Sequence, residues 1–150
     1  MEIKNNLTEV EISYSTHCPQ SKLPQVCSST DAYQILNTIW SKHRAYKEEF
    51  YCLFLNRSNR VLGYHLLSIG GTTSCLVDVK ILVQLAIRTN SHGVIIAHNH
   101  PSGNLNPSQS DQKLTAKLKT ALNYFDISLL DHLILDDGFG YFSMADEGEL

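Results

Sequence analysis

The sequence predicts an α/β sandwich in which helices flank a mixed, largely antiparallel sheet. Two pairs of β-rich segments are typical of hairpins, which supply antiparallel strands. One short run of continuous apolar residues, 93–97, is typical of a buried strand, and it lies between two segments whose apolar residues recur at helical spacing. The predicted order of elements is therefore α-β-β-α-β-α-β-β.

The first helix and the first hairpin follow from a cap and a turn. Residues 28–31, Ser-Ser-Thr-Asp, are a helix-start cluster, and the spacing of the apolar residues after it predicts a helix over about 31–44. Aromatic and branched residues predict strands over 50–56 and 61–69. The polar segment 57–60 turns the chain between these strands, which completes a hairpin.

The second half of the chain carries similar signals. Asp78 predicts the N-cap of a second helix over 79–90. Asn106 predicts the N-cap of a third helix, which Pro107 would begin and which would end near Tyr124. The remaining strands form a second hairpin; they are 129–135 and 141–143, joined by a turn at 136–138.

Residues 1–28 are predicted to be an N-terminal strand and a linker that precede the domain at 29–150. Val10, Ile12 and Tyr14 alternate with polar neighbours, which is the period-two pattern of a half-buried strand. The polar, proline-containing stretch that follows indicates a linker.

Composition and cysteine content narrow the class of protein. The 150 residues carry a formal charge of −3 and are 43% hydrophobic, which is typical of one globular domain and excludes a disordered chain. None of the 4 cysteines forms a C-x-x-C pair, so zinc-finger and thioredoxin motifs are absent. No apolar run approaches the ~20 residues of a membrane span and no signal region begins the sequence, so we expect a cytoplasmic protein without a membrane partner.

Residue types that bind metals are concentrated between the buried strand and the third helix. His98 and His100 follow the apolar run, and residues i and i+2 of an extended chain point the same way. Ser108 and Asp111 lie three apart at the start of the next helix and share a face. If that helix end lies against the strand end, the two imidazoles and the carboxylate surround one ion. Such a set, with a fourth position open to water, is typical of catalytic zinc sites.

These residues also have simpler interpretations. An H-x-H triplet alone is weak evidence for a metal, because a histidine in a loop is often only a hydrogen-bonding residue. Ser108 alone could serve the helix terminus. His132, in a predicted strand, is a structural hydrogen-bond partner, a metal ligand or a residue that supports the ligands from behind. The triplet at 98–100 does not indicate an HNH nuclease, because that class spreads its three residues over a ββα unit.

The spacing of the motif resembles the signature of the JAMM (MPN+/JAB) zinc peptidases, which is H-x-H, seven residues and then S-x-x-D. Here residues 101–107 separate His100 from Ser108, and Asp111 falls in place. Further segments look like the RadC branch of that superfamily, and the resemblance covers about residues 30–148. These segments are His98-Asn99-His100-Pro101-Ser102-Gly103, Glu48-x-Phe50, Thr115, Asp131-His132-Leu133-Ile134 and Ser143.

The resemblance implies a JAB/MPN-like, cytidine-deaminase-like fold and a role for each residue of the motif. The ligands of zinc, Zn²⁺, would be His98, His100 and Asp111. Ser108 would support the oxyanion or the bound water, and Glu48 would be the general acid/base. Glu49 is the rival of Glu48 for that role. Strand alternation points these two side chains to opposite faces, so only one of them can face the metal.

The implied function is that of a zinc-dependent, metallopeptidase-like hydrolase acting on a peptide or isopeptide bond of a protein or peptide substrate. A second hypothesis is a DNA-repair-associated protein that binds nucleic acid, and a third is a non-catalytic MPN scaffold. Longer RadC proteins carry an N-terminal helix-hairpin-helix region, and residues 1–28 are too short to hold one. Because the net charge is also −3, we do not expect nucleic acid as the partner.

Overall fold

The computed structural model describes residues 7–11, 13–70 and 76–150, and its elements follow the predicted order. None of the helices within these ranges combines the length and the apolar composition that a membrane crossing requires. A short 3₁₀ helix, Gln20–Lys22, precedes the main elements. These are α1 (Ser29–Ile39), β1 (Glu49–Leu55), β2 (Val61–Ile69), α2 (Val79–Arg88), β3 (Gly93–Asn99), α3 (Gln109–Asn123), β4 (Ser128–Leu135) and β5 (Tyr141–Ser143).

The strands form one mixed sheet in the order β2-β1-β3-β4-β5. Three neighbouring pairs are antiparallel, and only β3 and β4 run parallel. These two strands are parallel because α3 carries the chain from one end of the sheet back to the other. The predicted mixed, largely antiparallel sheet is confirmed, and β3 lies at its centre with every residue buried.

Helices cover both faces of this sheet, so that strand alternation sorts the core into two clusters. On the α1 face, Leu36 packs with Leu53 and Ile95. On the face of α2 and α3, Leu82 and Leu118 are buried with residues of β1 and β3. The β1 and β3 members of that second cluster are Phe50, Cys52, Phe54, Val94 and Ile96. Continuing this alternation along β3 places His98 on the same face as α3.

The ends of α1, α2 and β3 differ by two residues or more from those predicted from sequence, and α2 ends at Arg88 rather than at 90. Helix α1 stops at Ile39 rather than near 44, because Trp40 adopts an extended backbone conformation and its ring packs on Tyr51 at 4.5 Å between centroids. Residues 40–48 therefore form a loop that leads into β1. Strand β3 continues two residues past the predicted end, which brings both His98 and Asn99 into the ladder.

The predicted N-terminal strand is not formed in the described part of the segment. Residues 7–11 and 13–16 have no regular structure and Val10 is 86% exposed, while Ile12 lies outside the described residues. For the N-terminal segment to join this sheet as a further strand, it needs a sheet edge with unpaired backbone groups. Here the Pro24 carbonyl accepts from the Val61 amide and Gln25 bridges Arg60, so that this later segment occupies that end of the β2 edge.

Candidate metal centre

Strand β3 and the first turn of α3 bring three side chains to one point. The Nε2 atoms of His98 and His100 lie 2.9 Å apart. One carboxylate oxygen of Asp111 lies 3.2 Å from the His98 nitrogen, and the other lies 3.5 Å from the His100 nitrogen. The three residues form a cluster that can hold a metal ion, as the spacing of the motif predicted.

The three residues of this cluster are close enough to share one metal ion. In zinc sites the imidazole nitrogens lie about 2.0–2.1 Å from the ion, so that neighbouring ligand atoms are about 3.3 Å apart. Here the two imidazole nitrogens lie 2.9 Å apart, and Asp111 approaches them at 3.2 and 3.5 Å with a different carboxylate oxygen for each. In a tetrahedral zinc site, three protein ligands would leave the fourth position for a water molecule or a substrate oxygen.

The three side chains differ in their exposure to solvent. His98 is 1% exposed, and Phe50 stacks on its ring. The side chains of His100 and Asp111 are 17% and 14% exposed. Solvent therefore reaches the cluster at His100 and Asp111, while His98 is buried.

The N-terminus of α3 orients the carboxylate of Asp111. Ser108 is the N-cap of this helix, and its hydroxyl oxygen accepts from the Asp111 amide. In return, Oδ2 of Asp111 accepts from the Ser108 amide at 2.7 Å, which completes a capping box. The predicted Asn106 cap is wrong, because the Asn106 amide donates to Asn104 within the preceding loop and the helix begins two residues later than expected.

The two histidines stabilise the negative charge of the Asp111 carboxylate. Burial raises the pKa of Asp111, but hydrogen bonds with His100 and His98 outweigh it and hold the pKa well below its usual range. The carboxylate is therefore ionised. The pKa of His100 is raised, chiefly by its hydrogen bond with Asp111, while burial opposes that shift.

A chain of hydrogen bonds supports His98 from behind. Its Nδ1 lies 2.8 Å from Nε2 of His132, which is fully buried, and burial lowers the pKa of His132 well below its usual value. Nδ1 of His132 meets the Thr115 hydroxyl at 2.6 Å, and that hydroxyl donates to the Asp111 carbonyl. Both ring nitrogens of His132 are occupied by these hydrogen bonds, so His132 is a partner of His98 and is not itself a candidate ligand.

Glu48 and Glu49 lie in different surroundings. Glu49 is 1% exposed, and both of its carboxylate oxygens accept from the Ser41 hydroxyl at 2.7 and 2.9 Å. Glu48 is half-buried, and its charge contributes to the raised pKa of His100. Alternation along the chain puts Glu48 on the same face as Phe50, which stacks on His98. The catalytic role of Glu48 stays a prediction.

The family of this chain follows from comparison with known proteins. The family model described as "RadC-like JAB domain" matches residues 26–149. The chain belongs to this family. A UPF0758 protein of Flavobacterium johnsoniae is 44% identical to this JAB domain over 127 residues, which cover 85% of the chain and 54% of that protein.

Two further UPF0758 proteins show similar coverage. The protein from Porphyromonas gingivalis is 36% identical over 139 residues, which are 91% of this chain and 60% of the relative. The protein from Aquifex aeolicus is 37% identical over 120 residues, which are 80% of this chain and 50% of the relative. The JAB domain described here thus spans about half the length of the curated relatives it matches.

Other residues of the RadC-like segments hold the JAB domain together behind the metal centre. Asp131 accepts from the Ser143 hydroxyl at 2.6 Å and from the amides of Ala145 and His132. Burial raises the pKa of Asp131, although these hydrogen bonds oppose the shift. The contacts attach the turn after β5 to β4, next to His132.

Asn99 is the residue of this centre that sequence reasoning missed. The motif treats it as a spacer between two histidines, yet it is fully buried and its side chain bonds to the loop that leads into β1. The signal that could have found it is an amide side chain next to a continuous apolar run, because a buried amide needs several hydrogen-bond partners.

Replacing Ser108 with alanine is expected to lower the free energy of unfolding by about 1 kcal/mol, because α3 loses its N-cap hydrogen bond. Urea denaturation followed by circular dichroism measures the change. Ser110→Ala is the matched control, since Ser110 is exposed in the same turn and caps nothing in the described structure. Ser108→Thr should retain most of the stability, and an unchanged free energy of unfolding in Ser108→Ala would show that the cap contributes nothing.

Proposed function

We propose that this JAB domain is a zinc-dependent, metallopeptidase-like hydrolase that cleaves a peptide or isopeptide bond in a protein or peptide. The observation that carries the proposal is the convergence of His98, His100 and Asp111 on one point, where the side chains of His100 and Asp111 are partly exposed. A set of two imidazoles and one carboxylate favours zinc over Mg²⁺ or Ca²⁺, which prefer oxygen ligands.

The residues around the centre supply the remaining parts of a hydrolytic reaction. Bound zinc would lower the pKa of a water molecule to about 7 and polarise the substrate carbonyl. Glu48 would take the proton of the attacking water and pass it to the nitrogen of the leaving amine as the C–N bond breaks. The Ser108 hydroxyl accepts from the Asp111 amide, which leaves its own hydrogen free to donate to the oxyanion.

The charge of the chain supports a protein or peptide substrate rather than nucleic acid. Binding to a phosphate backbone depends on clustered lysine and arginine, whereas this chain has 12 basic and 15 acidic residues. The intact set of candidate ligands also favours a catalytic centre over a scaffold without activity, because a scaffold does not need a partly exposed metal site.

Metal analysis combined with a cleavage assay tests the proposal. Protein purified without chelator is expected to contain about one zinc ion per chain, as three ligands and one open position imply. The assay would use fluorogenic peptide and isopeptide-linked libraries. We expect cleavage that dialysis against a chelator abolishes and that one equivalent of zinc restores. Zinc-loaded protein that cleaves neither class of bond would overturn the proposed activity.

A further inference from the structure

Asn99 connects the strand of the histidine ligands to the loop that carries Glu48. We propose that Asn99 is the positioning residue for Glu48, because its side-chain amide holds the backbone on both sides of that residue. The inference rests on the proposed function for the chemistry of Glu48, while the hydrogen bonds themselves are independent of it.

Three hydrogen bonds form this clamp. The side-chain carbonyl of Asn99 accepts from the Glu49 amide at 2.8 Å. Its amide nitrogen donates to the carbonyls of Lys47 and Arg44, each also at 2.8 Å. The Lys47 carbonyl belongs to the peptide group before Glu48, and the Glu49 amide belongs to the peptide group after it. Asn99 therefore holds both peptide groups that flank Glu48.

An asparagine is the side chain that these three partners require. The Glu49 amide needs an acceptor, whereas the two carbonyls need two N–H donors, and a primary amide offers both in one plane. An aspartate has the same shape but no donor, so its second oxygen would face two carbonyls. Since Asn99 is 0% exposed, water cannot replace the lost hydrogen bonds.

The backbone of Glu48 has one more constraint. Its own carbonyl accepts from the Gly70 amide at 2.8 Å, at the end of β2. With Asn99 on one side and Gly70 on the other, the peptide groups around Glu48 are held by the two strands that flank β1. These hydrogen bonds fix the backbone from which the Glu48 side chain extends.

The position of Asn99 relates the clamp to the metal ligands. Alternation along β3 directs His98 toward α3 and places Asn99 on the α1 face, as a continuation of Ile95 and Ala97. One buried strand thus carries a ligand on one face and the clamp on the other. A displacement of 1 Å in a reacting group can cost on the order of 10²-fold in rate, so this register matters for a general base.

Asn99→Asp tests the proposal in the zinc-loaded protein. We expect the zinc content to stay unchanged and kcat to fall at least about tenfold. In a Glu48→Gln background the same substitution should change kcat by less than about twofold, because a residue that acts through Glu48 has nothing left to position. Asn123→Asp, at an exposed position of α3, is the matched control and should leave kcat unchanged.

Three outcomes of this experiment would overturn the proposal. An unchanged kcat would show that the clamp does not affect the reaction. An equal fall in kcat in both backgrounds would show that Asn99 has a general structural role. Loss of zinc would show that Asn99 acts through the metal ligands instead of Glu48.

Hydrogen exchange tests the clamp without any measurement of activity. In Asn99→Leu the Glu49 amide should exchange at least about tenfold faster, while the Leu53 amide in the centre of β1 keeps its rate. An unchanged rate at Glu49 contradicts the clamp.

Should both variants fail to fold, scalar coupling across the hydrogen bond between the Glu49 amide and the Asn99 side chain decides the question in the native protein. If the native protein cleaves no substrate, the proposed function fails, whereas these two measurements still decide the clamp.

Discussion

Replacing His98 or Asp111 with alanine is expected to abolish zinc binding, so that the metal content falls from about one ion per chain to nearly none. With either residue removed, two ligands remain, which is too few for a tetrahedral protein site. Elemental analysis after dialysis against buffer with trace zinc measures the loss. His65→Ala is the matched control, since His65 is exposed on β2 and should leave the zinc content unchanged.

Stability measurements separate loss of metal from loss of the fold in these variants. An ion that binds only the folded state stabilises it by mass action, so zinc should raise the melting temperature of the native protein. The same addition should leave the melting temperature of Asp111→Ala unchanged if that variant is folded but lacks the site. Zinc content near one ion per chain in folded Asp111→Ala would refute the assigned ligand set.

Glu48→Gln is expected to lower kcat by about 10²–10⁴-fold while the zinc content stays the same. The amide cannot accept the proton of the attacking water, and Glu48 is not among the ligands of the cluster. Cleavage of the best substrate from the peptide and isopeptide libraries measures kcat, with zinc content determined on the same sample.

Glu49→Gln is the comparison that identifies the base. Both oxygens of the buried Glu49 accept from Ser41 in the loop before β1, so we expect this substitution to change stability and to leave kcat within about threefold of the native value. The reverse pattern, in which Glu49→Gln loses turnover and Glu48→Gln does not, would assign the proton transfer to Glu49.

Local patterns in the sequence determined the order of all eight elements and the residues that form the candidate metal site. Helical spacing, alternation, caps and turns act between residues that are close in the chain, and so a single sequence reports them. The convergence of His98 and His100 follows from their spacing of two in an extended segment. Asp111 could be added because it lies in the first turn of the helix that follows.

At three other places the sequence pattern is present, but contacts that the pattern does not record decided the structure. Val10 and its alternating neighbours match a strand, yet the segment at Pro24 and Gln25 occupies that end of the β2 edge. Asn106 and Ser108 are both good N-cap residues, and the hydrogen bonds within the loop decided for Ser108. The apolar spacing continues past Ile39, yet the chain turns there because Trp40 packs on the sheet.

Only the tertiary structure decided what surrounds the cluster. Asn99 bonds to the backbone of Lys47 and Glu49 across 52 and 50 residues of chain, and His98 meets His132 across 34. Such pairs depend on which strands become neighbours and in which register. Periodicity in a sequence records that a residue is buried, but not which distant polar group it meets there. The sequence by itself therefore determined the candidate ligands, while the packing of β1, β3 and β4 determined how they are oriented and where Glu48 lies.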